Sequence, residues 1–247
     1  MRTLVVGGAG HVGRLTLPYL RPHHMMKVFD LNTEKAWIRE AGIDSFTGSA
    51  CQPNAMDEAI AGCEALLYMA MGRHNQNRAE LVSDAVDASV KGLYMALEAA
   101  HRAGVNHAVY TSSLSVYEGK LVDRYFSDED LAPDSRSVYG FTKWLGEEVC
   151  RHAVRSWGMS VVALRLCYPI SDEMWLEKCE AGTNTLETGA SDTARAMHLA
   201  LGYAGGGYQV CTISGDYHER IVNLSRAKRI LGWEPLLRSA VRAESPE

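Results

Sequence analysis

Thr3-Leu4-Val5-Val6-Gly7-Gly8-Ala9-Gly10-His11-Val12-Gly13 reads as a short apolar strand that runs straight into a glycine loop, and from there into a helix reaching about Leu20. Gly7, Gly10 and Gly13 are spaced GxxGxxG. In a strand–loop–helix setting the first glycine permits the tight turn. The second lets a pyrophosphate approach the backbone at the helix N-terminus, and the third lets helix and strand pack closely. An ordinary strand-to-helix turn can also carry three glycines, so the reading depends on the segments downstream of the loop.

A second strand, Met26-Lys27-Val28-Phe29-Asp30, ends on a carboxylate 17 residues after Gly13. That is close to the ~20-residue spacing of the acid that accepts an adenosine ribose. A carboxylate there repels a 2′-phosphate, which favours NAD over NADP. Helix-like residues 33 to 41, a weak strand Ile43 to Thr47 and a short helix Asn54 to Ala61 come after it, the last entered through Pro53. A buried strand, Ala65 to Ala70, comes next. Strands alternating with helices predict an α/β protein: a Rossmann-type, doubly wound parallel sheet with helices on both faces. Further on, Glu80 to Ala103 reads as a long helix, His107 to Thr111 as a strand and Arg136 to Trp157 as a helix closed by Gly158. Ser160 to Leu166 and Tyr208 to Ile213 read as strands. Helices are expected from Ser191 to about Leu201 and from Leu224 to Leu231, while Ser171 to Gly189 shows little pattern.

The 247 residues suit one large domain with a small cap, and the 47% hydrophobic content is ample for a core. A net charge of −5 argues against a nucleic-acid or anionic-membrane surface. No apolar run approaches the ~20 residues of a membrane span, and the first strand begins too early for a leader peptide. The six cysteines form no CxxC and the nine histidines no HExxH, so neither a disulfide frame nor a metal site is expected, and a cytoplasmic location is.

Tyr139-Gly-Phe-Thr-Lys143 sits in the predicted helix 136–157. Residues four apart share a helix face, so a phenol and an ammonium point the same way. A nearby positive charge is expected to lower the phenol's pKa from ~10 and fit it for moving a proton to or from a substrate hydroxyl. Met71 to Arg78 lies past the carboxyl end of a strand, where open α/β sheets bind ligands; Arg73, His74 or Arg78 could touch phosphate or substrate there.

The order and spacing of the glycine loop, Asp30, Ser113, Tyr139 and Lys143 resemble the extended short-chain dehydrogenase/reductase superfamily, in particular its NAD-dependent epimerase/dehydratase family. The likeness runs from Gly7 to Pro235. It is carried also by Lys91-Gly92-Leu93-Tyr94, Leu97-Glu98-Ala99-Ala100, Tyr110-Thr111-Ser112-Ser113 with Val116-Tyr117, Ala163-Leu164-Arg165, Asp192-Thr193-Ala194-Arg195-Ala196 and Leu231-Gly232-Trp233-Glu234-Pro235. The resemblance implies that Tyr139 is the general acid/base, that Lys143 holds the nicotinamide ribose and lowers the tyrosine pKa, and that Ser113 orients the reacting oxygen, with Ser112 and Ser115 in reserve. It implies NAD as cofactor. Gly7, Gly10, His11, Val12 and Gly13 would line the pyrophosphate, and Asp30 with Leu31 would sit at the adenosine ribose. Ser49 with Ala50 would lie by the adenine, Met69, Ala70 and Met71 along the cofactor, and Cys167, Tyr168 and Pro169 near the nicotinamide. Members commonly form homodimers through the helices corresponding to 80–103 and 136–157.

Three departures stand out: Ser49 where an Asp is usual, Ser89 where an Asn is frequent, and the shortened Cys167-Tyr168-Pro169. Length is the largest. Only 23 positions separate Pro169 from Asp192, enough to cover a small substrate but hardly to wrap a nucleotide sugar. The size is similar to that of the family's uronate dehydrogenases. Yet Leu166 to Ala194 contains no arginine and only Lys178 as a base, so a sugar acid would need Arg73, Arg78, Arg124 or Arg136. The expectation is therefore an NAD-binding core over 1–166 and a short substrate cap over 167–247, mixed with the last core strand and helix. The expected activity is hydride transfer on a small sugar or sugar-derived hydroxyl or carbonyl compound. The alternatives are a nucleotide-sugar epimerase or dehydratase with a trimmed substrate lobe, and a non-catalytic NAD-sensing protein.

Overall fold

The computed structural model describes residues 1–72, 79–124, 128–181 and 186–238. Seven parallel strands form one sheet: β1 (Arg2–Val6), β2 (Met25–Asp30), β3 (Asp44–Thr47), β4 (Ala65–Tyr68), β5 (His107–Ser113), β6 (Ser160–Leu166) and, after a two-stranded ribbon of β7 (Pro169–Ile170) and β8 (Thr188–Gly189), β9 (Tyr208–Ile213). Their spatial order is β3-β2-β1-β4-β5-β6-β9. The order reverses between β1 and β4, and an open α/β sheet offers its ligand crevice at the carboxyl ends beside such a reversal.

Period-two alternation divides the core between the two faces. Val5, Val28, Leu67, Val109, Val162 and Cys211 pack on one side with α1 (His11–Leu20), α8 (Ala190–Leu201) and α9 (Ser225–Leu231). Leu4, Val6, Phe29, Leu66, Tyr68 and Val161 pack on the other with α3 (Pro53–Ile60), α5 (Leu93–Arg102) and α6 (Val138–Trp157). Both faces are covered, which is why β4 reads as a continuous apolar run. The short α2 (Ala36–Glu40) precedes β3.

Three segments differ from the sequence reading. β5 continues through Ser112 and Ser113, two residues past the expected end at Thr111, so both serines sit at the carboxyl end of the strand itself. The expected helix 80–103 is broken into α4 (Ala79–Val86), a π-helical stretch Asp87–Gly92, and α5. Two backbone carbonyls there are engaged by side chains from other elements: Tyr68 Oη donates to Ala88 O, and Cys51 Sγ lies 3.2 Å from Asp87 O. Finally, the seemingly patternless 171–189 holds α7 (Asp172–Glu180). Ser171 caps it, accepting from Met174 N–H at 3.2 Å. Only Trp175 is buried, so the helix leaves almost no apolar stripe to read.

α6 begins at a cap where Ser137 Oγ accepts from Gly140 N–H at 3.0 Å, and stops at Gly158, whose φ of 67° is left-handed. None of the described helices is long and apolar enough to cross a membrane.

Candidate active site

A crevice of about 1020 Å³ opens over the carboxyl ends of the strands. Its lining includes Gly7, Gly10, His11 and Val12 from the loop after β1, and Asp30 and Leu31 from the end of β2. Ser49 and Ala50 follow β3, Met69, Ala70 and Met71 follow β4, and Ser112, Ser113 and Ser115 come from the end of β5. Tyr139 and Lys143 enter from α6, and Tyr168 and Pro169 from beyond β6. Gly13 and Cys167 do not line it. Gly13 serves packing: a Cβ there would stand 1.9 Å from Gly8 O. Cys167 is buried in the core beneath, where burial pushes its thiol up to about 12. Arg73, His74 and Arg78 lie outside the described residues. Arg124 and Arg136 do not line the crevice; Arg124 pairs with Asp134 at 2.7 Å.

The glycine loop has the form a dinucleotide requires. Gly7 has φ 81°, and a Cβ on it would fall 2.4 Å from Ala70 Cα. At Gly10, which lines the crevice, an added Cβ would stand 3.1 Å from Gly7 O, closer than ordinary van der Waals contact. Behind it starts α1, ten residues long with no acid in its first turn. Its first N–H groups have no intrahelical acceptor and carry the positive end of the helix dipole. Asp30 is fixed beside the loop, accepting from Ala9 N–H (Oδ2, 3.0 Å) and Asn32 N–H (Oδ1, 3.4 Å). These residues fit NAD: amides for a pyrophosphate, a carboxylate for a ribose diol. Lys35, which sequence reasoning missed, also lines this end and donates to Ala9 O.

At the other end three polar groups converge. Tyr139 keeps part of its surface in the crevice and shares a hydrogen bond with Ser113. Ser113 Oγ in turn accepts from Ser115 N–H at 3.0 Å. Lys143 is 3% exposed and donates to Thr111 O at 2.7 Å, with its Nζ 5.8 Å from the centre of the Tyr139 ring.

The expected lowering of the phenol pKa does not hold in this state. Burial raises Tyr139 above its usual value; the Ser113 bond pulls the other way, and Tyr168 adds to the rise. Lys143 is itself depressed, to about 8, by burial, with Cys150 and Glu147 opposing. A desolvated ammonium turned to a backbone carbonyl contributes little at the phenol oxygen, so in the protein alone the phenol is protonated at neutral pH.

Behind the trio lies a polar network that the sequence did not announce. Ser112 Oγ donates to Glu147 Oε1 at 2.6 Å, and Arg165 Nη1 donates to the Tyr117 hydroxyl at 2.5 Å. Glu147 follows Lys143 by one helical turn. Asp84, Asp87 and Cys51 also line the crevice. No cluster of three potential metal ligands occurs among the described residues.

The sequence profile of the NAD-dependent epimerase/dehydratase family matches residues 3–210. The chain is similar to the L-arabinose 1-dehydrogenase (NAD(P)(+)) of Haloferax volcanii, 25% identical over 267 residues, spanning 98% of this chain and 99% of that protein. Its fold is similar to that of a short-chain dehydrogenase/reductase superfamily protein from Agrobacterium tumefaciens with bound NAD (TM-score 0.80, 21% identity, 96% of this chain and 93% of that one). It is also similar in fold to uronate dehydrogenase from Agrobacterium tumefaciens (TM-score 0.76, 20% identity, 95% and 84% covered).

Proposed function

The chain belongs to the NAD-dependent epimerase/dehydratase family, and from that premise we propose an oxidoreductase that acts on a small sugar or sugar-derived hydroxyl or carbonyl compound. NAD supplies the hydride acceptor or donor when bound. Gly7, Gly10, His11 and Val12 hold its pyrophosphate and Asp30 its adenosine ribose. At the reacting end, Ser113 orients the substrate oxygen and Tyr139 exchanges its proton. Lys143 binds the nicotinamide ribose.

The observation that carries this reading is the convergence of Ser113, Tyr139 and Lys143 on the crevice that the glycine loop also lines. A proton-exchanging group near the hydride path is what alcohol–carbonyl interconversion requires. The small substrate is supported by the shortness of the cap, whose described residues between β6 and α8 hold β7, α7 and β8. At about 1020 Å³ the crevice is at the upper end of the ~300–1,000 Å³ usual for small-molecule sites, room for a dinucleotide and a small ring.

The same proposal includes a homodimer. Val86 on α4, Tyr94 on α5 and Phe141 on α6 are 38%, 39% and 43% exposed on helices that pack together. Light scattering on a sizing column should give twice the chain mass; a monomer at micromolar concentration contradicts this part.

The substrate class is tested by following NADH absorbance across neutral aldoses, sugar acids, polyols and nucleotide sugars. NADH formation with a free sugar or sugar acid supports the reading. Conversion of nucleotide sugars alone, without net NADH, replaces it with the epimerase or dehydratase alternative.

A further inference from the structure

Among the described residues, two that are not glycine have positive φ, Tyr168 at 36° and Glu219 at 52°. This region crowds the Cβ of an L residue against its own carbonyl and is disfavoured for bulky side chains. At Glu219 the surroundings give a local reason. Its carboxylate accepts from Leu224 N–H at 3.1 Å and pairs with Lys228, closing the turn before α9. Tyr168 has no such return. The residue is 76% exposed, its hydroxyl has no hydrogen-bond partner among the described residues, and it lines the crevice.

The backbone of Tyr168 is clamped from both sides. Thr188 N–H donates to Cys167 O (3.0 Å) and to Tyr168 O (3.3 Å), and Thr188 Oγ1 donates to Cys167 O (3.0 Å). On the other flank His11 Nε2 lies 3.2 Å from Pro169 O, tying the turn to the glycine loop. The surroundings therefore impose an unfavourable conformation on a large residue, and what the molecule gains is the position of one aromatic ring at the crevice mouth. Strain of this kind persists where neighbouring structure over-determines it, and such sites are commonly functional. Leu166, two residues before Tyr168, pairs in register with Ser113, which puts the turn at the reacting end of the crevice that Ser113, Tyr139 and Tyr168 all line.

We infer that Tyr168 is the specificity-determining residue of the crevice, the wall on which the apolar face of a small cyclic polyol or sugar rests while the phenol hydroxyl bonds a ring hydroxyl. This rests on the functional reading above and goes beyond it by assigning the substrate's wall. A tyrosine offers a flat apolar body and one polar tip, and a sugar ring offers a C–H face and hydroxyl edges, so one side chain can meet both. Its backbone is already fixed, so little ordering remains to be done on binding.

The test uses Tyr168→Gly and Tyr168→Phe in the full chain, measuring melting temperature, NAD affinity by calorimetry, and kcat and KM with the best substrate. Glycine accepts φ 36° without crowding, so Tyr168→Gly should melt no lower than the parent. Its NAD dissociation constant should stay within about twofold and its sugar KM should rise at least about tenfold, with kcat less affected. Tyr168→Phe should recover most of the KM, by keeping the ring.

An unchanged KM in Tyr168→Gly overturns the inference. So does a loss of NAD affinity by the same factor, which would make Tyr168 a cofactor contact. If the parent turns over no sugar, the functional reading fails separately; Tyr168 is then judged by calorimetric binding of D-glucose and L-arabinose to the NADH-loaded protein. Binding weakened in Tyr168→Gly supports the wall, whereas equal or absent binding in the parent and the variant overturns it.

Discussion

Glu147 and Arg165 meet in a two-pronged ion pair, Nε to Oε1 and Nη2 to Oε2 at 2.8 Å each, with both side chains 1% exposed. The pair joins α6 to β6 directly behind the proposed reacting groups: Lys143 lies one turn before Glu147, and Ser112, bonded to Glu147, neighbours Ser113. Removing one partner leaves a buried charge alone. Glu147→Ala should therefore cost about 3–5 kcal/mol, read as a shift of the urea midpoint. The double change Glu147→Met with Arg165→Leu should recover most of that loss, because no charge is then stranded.

Lys143 gives stability a pH dependence of known sign. Burial lowers its pKa in the folded protein to about 8 from 10.5. Between those values the unfolded chain binds the extra proton, so stability rises with pH through that window, and below it the cost of burying the ammonium is felt in full. Lys143→Met should be more stable than the parent at pH 7, by up to about 3 kcal/mol, and should lose the rise above pH 8. Denaturant midpoints at pH 7 and pH 10 check both. The same variant should lose most turnover, so stability and activity part company at this residue.

Asp30 holds the edge of the glycine loop through Ala9 N–H, while Lys35 donates to the carbonyl of the same residue. The parent should bind NAD more tightly than NADP. Asp30→Ala should weaken NAD by roughly tenfold through loss of charged hydrogen bonds and should gain relative affinity for NADP, since the Lys35 ammonium remains. Calorimetric titration with both cofactors measures this directly. A parent preference for NADP contradicts the role given to Asp30.

Much of this was legible in the chain, for reasons that differ by residue. The parallel sheet is readable because its strands are buried on both faces, and the glycine loop because the left-handed turn at Gly7 and the close backbone contacts at Gly10 and Gly13 each disfavour a side chain. Tyr139 and Lys143 declare themselves by sharing one helix. The Glu147–Arg165 pair joins separate elements 18 residues apart in sequence, and nothing local announces the partner. The π-helical stretch after α4 coincides with contacts from Tyr68 and Cys51, both distant in the chain. The conformation of Tyr168 is set by Thr188 and His11, so no propensity predicts it. The phenol pKa departs from expectation because helical spacing gives direction but not solvation: the ammonium is turned to Thr111 O and both groups are desolvated.

Ser113 shares a hydrogen bond that lowers the pKa of Tyr139 against the rise that burial causes. In the direction that removes a substrate proton, rate should climb with pH as the phenol ionises. Ser113→Ala should displace that limb to higher pH and reduce kcat by about 10²-fold. A limb left in place by Ser113→Ala would separate the serine from the tyrosine's ionisation.

The most direct test is single-turnover NADH formation by Tyr139→Phe, at saturating NAD and with the substrate found in the absorbance screen. The phenyl ring preserves packing and the crevice but cannot exchange a proton. The account predicts a rate at least about 10²-fold below the parent, with NAD affinity retained. Turnover close to that of the parent would contradict it, because the proton would then be leaving by a route that does not involve Tyr139.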